Sequence, residues 1–211
     1  LVMCRGYYTR AVLAAWDWRE GKLTQRWVFD TNNGYSGYRG QGNHNLSVAD
    51  VDSDGKDEIA YGSCTIDDNG TGLYTTGLGH GDAMHVSDMD PSRPGLEVWQ
   101  CHEGGAGSSF RDAATGEVLI NHPNSGDVGR ACAAHIDSRY PGYQLWSYAA
   151  AGVYSVGNVQ ISTNRPSINF LAWWDGDLQR ELVDSVSSKN PKIEKWNGDG
   201  VDRLISLYNW P

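Results

Sequence analysis

The chain has 211 residues, of which 26 are Asp or Glu and 17 are Lys or Arg, giving a formal net charge of −9. This balance argues against nucleic acid as a partner, because binding phosphates needs clustered basic side chains. No apolar run reaches the roughly 18 residues that a membrane-spanning helix requires. The 26 Gly, nine Trp and 11 Tyr residues are typical of turn-rich β proteins, and no long amphipathic pattern indicates a helix. We therefore predict an all-β fold.

The first predicted element is a hairpin over residues 16–23, in which Glu20 and Gly21 lie between β-prone flanks. Further patterns of strand, Asp/Gly turn and strand follow at residues 68–73, 112–119 and 174–178. Such turn residues tolerate the backbone conformations that tight hairpins need. Between the first two hairpins lies a glycine-rich segment over residues 32–40, which is long for a strand connection. Long loops on a rigid scaffold often carry function.

A dense run of carboxylates at residues 50–58 predicts a calcium loop. We call this segment and its repeats the carboxylate loops. Ca²⁺ takes about six to eight oxygen ligands, so a short loop must present carboxylates at alternate positions and turn sharply at a glycine. Gly55 provides the turn, and a short apolar strand follows at residues 59–61. The predicted ligands are Asp50, Asp52, Asp54, the Lys56 carbonyl and Glu58.

The same pattern returns three times. The second copy has the predicted calcium ligands Asp88, Asp90 and Glu97. In the third, His135 and Gln144 replace the first Asp and the Glu, so poor calcium binding is expected. A fourth, more divergent copy over residues 195–205 begins with Lys195, whose ammonium is expected to occupy the place of the calcium ion. The first positions are 38, 47 and 60 residues apart, and blades of β-propellers run to roughly 40–50 residues. Each repeat contains one hairpin and one pair of strands joined by a carboxylate loop, which makes the four strands of one propeller blade. The repeats therefore predict about four blades, with bound calcium holding the strands of each pair together.

Other metal chemistry has weak support. Cys4, Cys64, Cys101 and Cys132 form no CxxC pair and no zinc-ribbon spacing, and a disulfide is left open. His80, Asp82 and His85 could be read as a zinc site of a hydrolase. His85 lies on an alternating strand pattern, so a structural role at a blade interface is the alternative.

Four longer motifs carry a family resemblance: residues 42–52 (GNHNLSVADVD), 79–88 (GHGDAMHVSD), 94–99 (PGLEVW) and 127–130 (DVGR). They resemble the rhamnogalacturonan lyases of polysaccharide lyase family 11, over essentially the whole chain. The resemblance implies an eight-bladed propeller that binds several structural Ca²⁺ ions. Residues 1–211 would form about four blades of a catalytic domain in a longer protein, partnered by the remaining half of the ring. The implied enzyme is a secreted, periplasmic or cell-surface endolyase that cleaves rhamnogalacturonan I, a pectic polysaccharide, by β-elimination.

This reaction needs a base near C5 of galacturonate and a positive charge at its C6 carboxylate. His44 and His80 precede successive carboxylate loops at matched positions and are the predicted acid–base pair, with turn histidines bonded to local backbone as the alternative. Arg130 is predicted to bind a carboxylate with two parallel hydrogen bonds, unless it pairs with Asp127. A base beyond residue 211 is also left open. The predicted substrate-binding residues are Tyr35, Tyr38 and Asp82.

Two other functions remain open, because a fold does not determine a function. One is a non-catalytic, calcium-dependent carbohydrate-binding or adhesion propeller. It has no need for matched histidines beside an arginine, whereas an eliminase does. The other is a glycoside hydrolase, which would need two carboxylates about 5–10 Å apart in the cleft.

Overall fold

The computed structural model describes residues 1–185 and 190–206. Over these residues the chain forms 19 short β-strands and one 3₁₀ turn at Ser36–Tyr38. The predicted all-β fold is confirmed. No helix of the described residues is long and apolar enough to cross a membrane.

The strands form five separate antiparallel sheets in chain order. The first sheet has three strands, β1 (Val2–Arg5), β2 (Val12–Arg19) and β3 (Lys22–Asp30). The second contains β4 (Ser47–Ala49), β5 (Glu58–Ala60), β6 (Cys64–Ile66) and β7 (Gly72–Thr75). The third contains β8 (Met84–Ser87), β9 (Glu97–Cys101), β10 (Ser108–Asp112) and β11 (Val118–His122). The fourth contains β12 (Ala131–Ala134), β13 (Gln144–Ser147), β14 (Val153–Ser155) and β15 (Gln160–Ser162), and the fifth β16 (Phe170–Ala172), β17 (Glu181–Asp184), β18 (Lys192–Trp196) and β19 (Val201–Ser206).

Three of the four predicted hairpins lie where the turn residues placed them, whereas residues 174–178 lie wholly within the loop between β16 and β17, and the corresponding hairpin of the fifth sheet joins β18 to β19. Arg19 pairs with Lys22 across a two-residue turn. Both turn residues, Glu20 and Gly21, have positive φ, at 51° and 74°, as a turn matched to the strand twist requires. The turns at residues 68–73 and 112–119 likewise join the third and fourth strands of their sheets.

The hydrophobic core is divided among the interfaces between successive sheets. Trp99 and Trp146, which lie in the second strands of the third and fourth sheets, are fully buried. Each indole also makes a hydrogen bond towards the next sheet: Trp99 Nε1 donates to the Trp146 carbonyl at 3.3 Å, and Trp146 Nε1 donates to the Ser167 carbonyl at 2.9 Å. The third sheet is therefore held to the fourth, and the fourth to the fifth, by apolar burial and by a satisfied indole N–H.

The first strands of the last four sheets are consecutive neighbours, since β4 contacts β8, β8 contacts β12 and β12 contacts β16. Their starting ends therefore meet on one side of the molecule. The carboxylate loops follow the opposite ends, because each joins a first strand to a second strand. A strand of three or four residues is about 10–13 Å long, so the side with the starting ends and the side with the carboxylate loops are about that far apart.

Two predictions on the repeats need correction. About four repeats were expected, whereas the described residues contain four four-stranded sheets preceded by a three-stranded one. The fourth carboxylate loop does not lie at residues 195–205, which form the β18–β19 hairpin. It lies between β16 and β17, where Asp175, Asp177 and Glu181 gather. The misplacement arose because Trp173 stands where the other copies begin with Asp or His.

All four cysteines are thiols in this structure. Cys4 is exposed, whereas Cys64, Cys101 and Cys132 are buried within the sheets. Burial raises the pKa of Cys64 and Cys132 to about 12, so these thiols are unreactive packing groups.

Candidate active site

A cavity of about 600 Å³ lies at the starting ends of the first strands of four successive sheets. Each sheet supplies the residues just before or at the start of its first strand. This places the predicted His44, Asp82 and Arg130 around one space. The full lining is His44, Asn45, Asp82, Ala83, Met84, His85, Arg130, Ala131, Asn169 and Phe170.

His80 is the buried histidine of this region, only 6% exposed. Its Nδ1 lies 2.7 Å from the Gly42 carbonyl oxygen. A carbonyl oxygen only accepts, so Nδ1 carries a proton, and Nε2 is left to hold either a second proton or a metal cation. Nε2 has no hydrogen-bond partner among the described residues and faces Glu103 Oε1 at 3.5 Å and Asp82 Oδ1 at 3.9 Å. A lone pair opposed to two carboxylates is unfavourable unless a proton or a metal cation lies between them.

His44 completes this group from the neighbouring sheet. Its Nε2 lies 3.0 Å from Asp82 Oδ1, and its ring centroid is 4.9 Å from that of His80. One ligand atom from each of His44, His80, Asp82 and Glu103 falls within 4.8 Å of all the others. We call these four residues the His–acid cluster. Two imidazoles and two carboxylates are a donor set that suits a divalent cation.

Sequence reasoning missed Glu103 and the tyrosines beside it. Glu103 follows β9, and its backbone N–H donates to the His80 carbonyl at 2.8 Å. The Tyr8 hydroxyl donates to Glu103 Oε1 at 3.2 Å, and Tyr7 stacks on the His80 ring at 4.8 Å. Loss of solvation, reinforced by Glu103, raises the pKa of Tyr8, which keeps this phenol a donor. None of these residues lies in a recognisable motif, so only the order of the sheets brings them to the site.

Arg130 reaches the cavity at the start of β12. Its Nε donates to Asn169 Oδ1 at 3.2 Å, and its Nη1 donates to the Gly129 carbonyl at 2.7 Å. Both partners are neutral, and no carboxylate of the described residues lies within ion-pair distance. The alternative pairing with Asp127 is therefore not formed. The guanidinium charge remains available to an anion in the cavity.

The zinc interpretation is not supported by the geometry. His85 lines the cavity, but its Nε2 lies 3.2 Å from the Ala131 carbonyl oxygen, to which it donates. Burial lowers the pKa of His85, so the ring stays neutral in this hydrogen bond. The residues that converge with His80 and Asp82 are His44 and Glu103 instead.

Tyr35 and Tyr38 do not line the cavity. They lie beside the 3₁₀ turn and pack against Phe29, with ring centroids 4.3 and 5.4 Å from the Phe29 ring. Both belong to the apolar cluster between the first two sheets. The structure thus gives these tyrosines a packing role, and it does not bring them together with His44 or Arg130.

The first carboxylate loop is a second candidate site, on the opposite side of the molecule. Oxygen atoms of Asp50, Asp52 and Glu58 lie within 4.8 Å of one another. Gly55 turns the loop with φ at +87°. Glu58 is fully buried; its Oε2 accepts the Val51 N–H at 2.9 Å, while its Oε1 has no hydrogen-bond partner among the described residues. A buried carboxylate oxygen without a donor is what a bound cation would satisfy.

The other two predicted ligands of this loop are arranged differently. Asp54 Oδ2 pairs with the Lys56 ammonium at 2.9 Å, and Lys56 also contacts Asp68 at 3.3 Å. Asp54 therefore lies outside the group formed by Asp50, Asp52 and Glu58. The Lys56 side chain is an exposed counter-charge at the loop surface.

The second loop repeats the buried glutamate. Glu97 Oε2 accepts the backbone N–H groups of Met89 and Asp90 at 2.9 and 3.1 Å, and its Oε1 has no hydrogen-bond donor, with Arg93 Nε 4.0 Å away. Burial raises the pKa of Glu97, and the charges of Asp88 and Asp90 add to the effect. In the described residues, the oxygens of Asp88, Asp90 and Glu97 are less tightly gathered than those of the first loop.

The third loop satisfies its own polar groups. Gln144 Oε1 accepts the N–H groups of Ile136 and Asp137, both at 2.8 Å, and Gln144 Nε2 donates to the Gly142 carbonyl at 3.2 Å. Arg139 pairs with both oxygens of Asp137. No polar atom of Gln144 is left in need of a cation. The first two loops thus each leave a buried carboxylate oxygen without a hydrogen-bond donor among the described residues, whereas Gln144 of the third is fully hydrogen-bonded.

Comparison with known proteins decides the family. The family model described as "Rhamnogalacturonan lyase family 11, C-terminal domain" matches residues 1–209. The chain belongs to this family. Among characterised members of family 11, the chain is 55% identical to the rhamnogalacturonan exolyase YesX and 52% identical to the rhamnogalacturonan endolyase YesW, both from Bacillus subtilis (strain 168). These matches cover 94% and 93% of the chain, but only 35% and 32% of the two relatives.

Solved structures of family 11 members share the fold. The crystal structure of the exotype lyase YesX superposes with a TM-score of 0.91 at 52% identity, over 97% of this chain and 37% of that one. The structure of Bacillus licheniformis rhamnogalacturonan lyase PL11 gives a TM-score of 0.90 at 51% identity, over 98% of this chain and 35% of that one. The chain thus spans about a third of the length of its family 11 relatives.

Proposed function

We propose that this chain forms part of a rhamnogalacturonan lyase. We further propose that the cavity at the starting ends of the first strands binds the galacturonate at which the polymer is cleaved. The observation that carries the proposal is the His–acid cluster beside Arg130. The cluster combines two imidazoles and two carboxylates, and its His44 and Asp82 line the cavity together with Arg130, whose guanidinium makes no ion pair among the described residues. The cleavage is a β-elimination: a base removes the C5 proton, the electron pair forms the C4–C5 double bond, the C4–O4 bond breaks and O4 of the leaving sugar takes a proton.

We propose that His44, His80, Asp82 and Glu103 hold a divalent cation. The His80 Nε2 lone pair and the two carboxylates that it faces support this assignment, because a cation would convert their repulsion into coordination. A bound cation would draw charge from the substrate carboxylate and so acidify the adjacent C5 proton. In this arrangement His80, buried and bonded to Gly42, orients ligands and does not itself exchange protons with the polymer.

Arg130 is proposed to bind the galacturonate carboxylate. Its neutral partners Asn169 and Gly129 hold the guanidinium at the cavity edge without cancelling its charge. With both histidines assigned to the cation and Tyr8 retaining its proton, we propose that the base for C5 comes from the part of the longer protein that this chain does not span.

The carboxylate loops are proposed to bind Ca²⁺ for stability. The first loop offers Asp50, Asp52 and Glu58 with a free buried oxygen, and the second offers Glu97 with its neighbours. Each ion would fix the connection between the first and second strands of its sheet, on the side opposite the cavity. Binding to the folded state alone adds stability that grows with ion concentration.

We further propose that the five sheets are blades of a β-propeller whose ring the rest of the longer protein completes. Support comes from the cores between successive sheets and from the adjacent first strands. A secreted, periplasmic or cell-surface location is proposed because the polymeric substrate is extracellular. Endo cleavage rests on the sequence resemblance alone, since identities of 55% to an exolyase and 52% to an endolyase favour neither mode. The size distribution of products decides between them.

The test is ultraviolet absorbance of the 4,5-unsaturated uronate product. This chain and the longer protein that contains it would each be incubated in calcium with rhamnogalacturonan I or with homogalacturonan. We expect absorbance to rise with rhamnogalacturonan I only, in the longer protein. If the longer protein retains the polymer without any rise in absorbance, the non-catalytic binding function replaces this proposal.

A further inference from the structure

The fourth carboxylate loop resembles the first two, but one ammonium contacts all three of its acids. Ligand atoms of Asp175, Asp177 and Glu181 lie within 4.8 Å of one another. Glu181 is fully buried at the start of β17, and its Oε2 accepts the Trp174 N–H at 2.8 Å. This is the hydrogen bond that Glu58 makes to Val51 in the first loop. The backbone and the buried acid are therefore those of a calcium loop.

The Lys195 ammonium lies where the three carboxylates converge. Lys195 Nζ contacts Asp175 Oδ2, Asp177 Oδ2 at 2.5 Å and Glu181 Oε1 at 3.2 Å. Its side chain is only 21% exposed. Burial opposes the charge, but the three carboxylates outweigh it and raise the pKa of Lys195, so the group remains an ammonium. In the same way, the pKa values of Asp175 and Asp177 are lowered by Lys195.

The register of the fifth sheet brings Lys195 to this loop from the third strand, β18. In each four-stranded sheet, the first residue of the second strand is opposite one residue of the third strand. The pairs in chain order are Glu58 with Asp67, Glu97 with Asp112, Gln144 with Ser155 and Glu181 with Lys195, the first and last being one step beyond the recorded pairs. Two sheets thus place acid opposite acid, one is neutral and one places acid opposite base. Like charges directly opposite each other are destabilising without a counter-ion. In the third sheet Arg93 supplies part of that charge, at 3.4 Å from Asp112 and 4.0 Å from Glu97.

We propose that the Lys195 ammonium replaces a divalent cation, so that the carboxylate loop of the fifth sheet binds no calcium. In this proposal, the residue opposite the buried acid determines whether the loop of a given sheet binds calcium. The site formed by Asp175, Asp177 and Glu181 is a latent calcium site that the ammonium closes. This inference rests on the proposed calcium binding by the first two loops. It makes the residue at position 195 a determinant of metal content, independent of the cavity.

The test is to open the site with Lys195→Asp, which reproduces the acid pair of the second and third sheets. Bound calcium per chain is measured by elemental analysis after desalting and by calorimetric titration. We expect one more ion than in the unchanged protein, lost again in the Lys195→Asp/Glu181→Gln double variant. Lys22→Asp is the matched control, because it makes the same change of charge at an exposed residue whose cross-strand partner is Arg19; it should leave the count unchanged.

The unchanged protein supplies a second test that does not depend on the variant folding. Glu181→Gln should leave its calcium count as it was, whereas Glu58→Gln should lower it by one. A count that falls with Glu181→Gln would overturn the inference, because calcium would then displace Lys195. The inference would also be overturned if the Lys195→Asp variant folds but binds no additional calcium ion while Glu58→Gln loses one. In that case the first loop would still be a calcium site. If Glu58→Gln and Glu97→Gln both leave the count unchanged, the proposed calcium role itself fails.

Discussion

Replacing Glu58 with Gln isolates the contribution of one calcium loop to stability. Gln144 already occupies the equivalent position in the fourth sheet, where its Oε1 accepts two backbone N–H groups and its Nε2 donates to a carbonyl. An amide can therefore keep the hydrogen bond that Glu58 makes to Val51. What the amide removes is the charged, unpartnered Oε1. We expect the variant to fold and to lose one bound ion.

The magnitude follows from ligand linkage. At a calcium concentration 100 times the Kd, one ion adds about 2.7 kcal/mol to the free energy of unfolding. For a chain of this length, each kcal/mol changes Tm by roughly 2–4 °C. The calcium-dependent rise in Tm should therefore shrink by roughly 5–11 °C in the Glu58→Gln variant.

The sign reverses when calcium is removed. Burial, assisted by the nearby Asp52 and Asp54, raises the pKa of Glu58 in the folded state. A raised acid pKa means that the folded protein loses stability as pH rises through that pKa, because the ionised form is disfavoured. The neutral amide avoids this cost. In chelator, the variant should be at least as stable as the unchanged protein, and its advantage should grow with pH over this window.

The assay is thermal unfolding followed by circular dichroism, in calcium and in EDTA. Glu117→Gln is the matched control, because Glu117 is exposed and belongs to no carboxylate loop. The control should keep the full calcium-dependent change in Tm. The reasoning is refuted if Glu58→Gln keeps it as well, or if the variant is less stable than the unchanged protein in EDTA.

Two further predictions concern pH and substrate binding. His102 is fully buried, and burial, aided by the Arg111 charge, lowers its pKa to about 4. In the unfolded chain the imidazole binds a proton more tightly than it does in the folded protein. The free energy of unfolding should therefore fall by roughly 3 kcal/mol as pH drops from about 6.5 to about 4. His102→Asn should remove that part of the pH dependence in urea unfolding, and an unchanged slope would contradict the assignment. Arg130→Lys in the longer protein should lower kcat/KM on rhamnogalacturonan I by about 10²-fold with little change in Tm, because Lys lacks the planar pair of donors. Undiminished activity would exclude Arg130 as the carboxylate ligand.

The sequence predicted those parts of the fold that local residues determine. Alternating carboxylates around Gly55 and the Glu20-Gly21 turn act over a few residues, so the first loop and hairpin could be placed from sequence alone. The fourth loop was misplaced because Trp173 and Lys195 depart from the repeat. The better signal was the buried Glu or Gln that begins the second strand of each four-stranded sheet, a position that Glu181 holds in the fifth.

The candidate site was only partly predictable, because it is assembled across sheets. Matched positions before successive loops correctly brought His44 and His80 to one place, with ring centroids 4.9 Å apart. Glu103 joins them from the connection after β9, and no local pattern marks it. Tyr35 and Tyr38 pack against Phe29 away from the cavity. The glycine-rich loop did not reveal this packing, and substrate contact by these tyrosines stays a prediction.

The most direct test of the central claim is kcat/KM on rhamnogalacturonan I for the Asp82→Asn variant of the longer protein. Asp82 contacts His44 at 3.0 Å and faces His80, so the account predicts a loss of at least about 10²-fold with Tm nearly unchanged. Asp202→Asn, an exposed change on β19, is the matched control and should retain activity. Full activity of the Asp82→Asn variant would contradict the placement of the active site at the His–acid cluster.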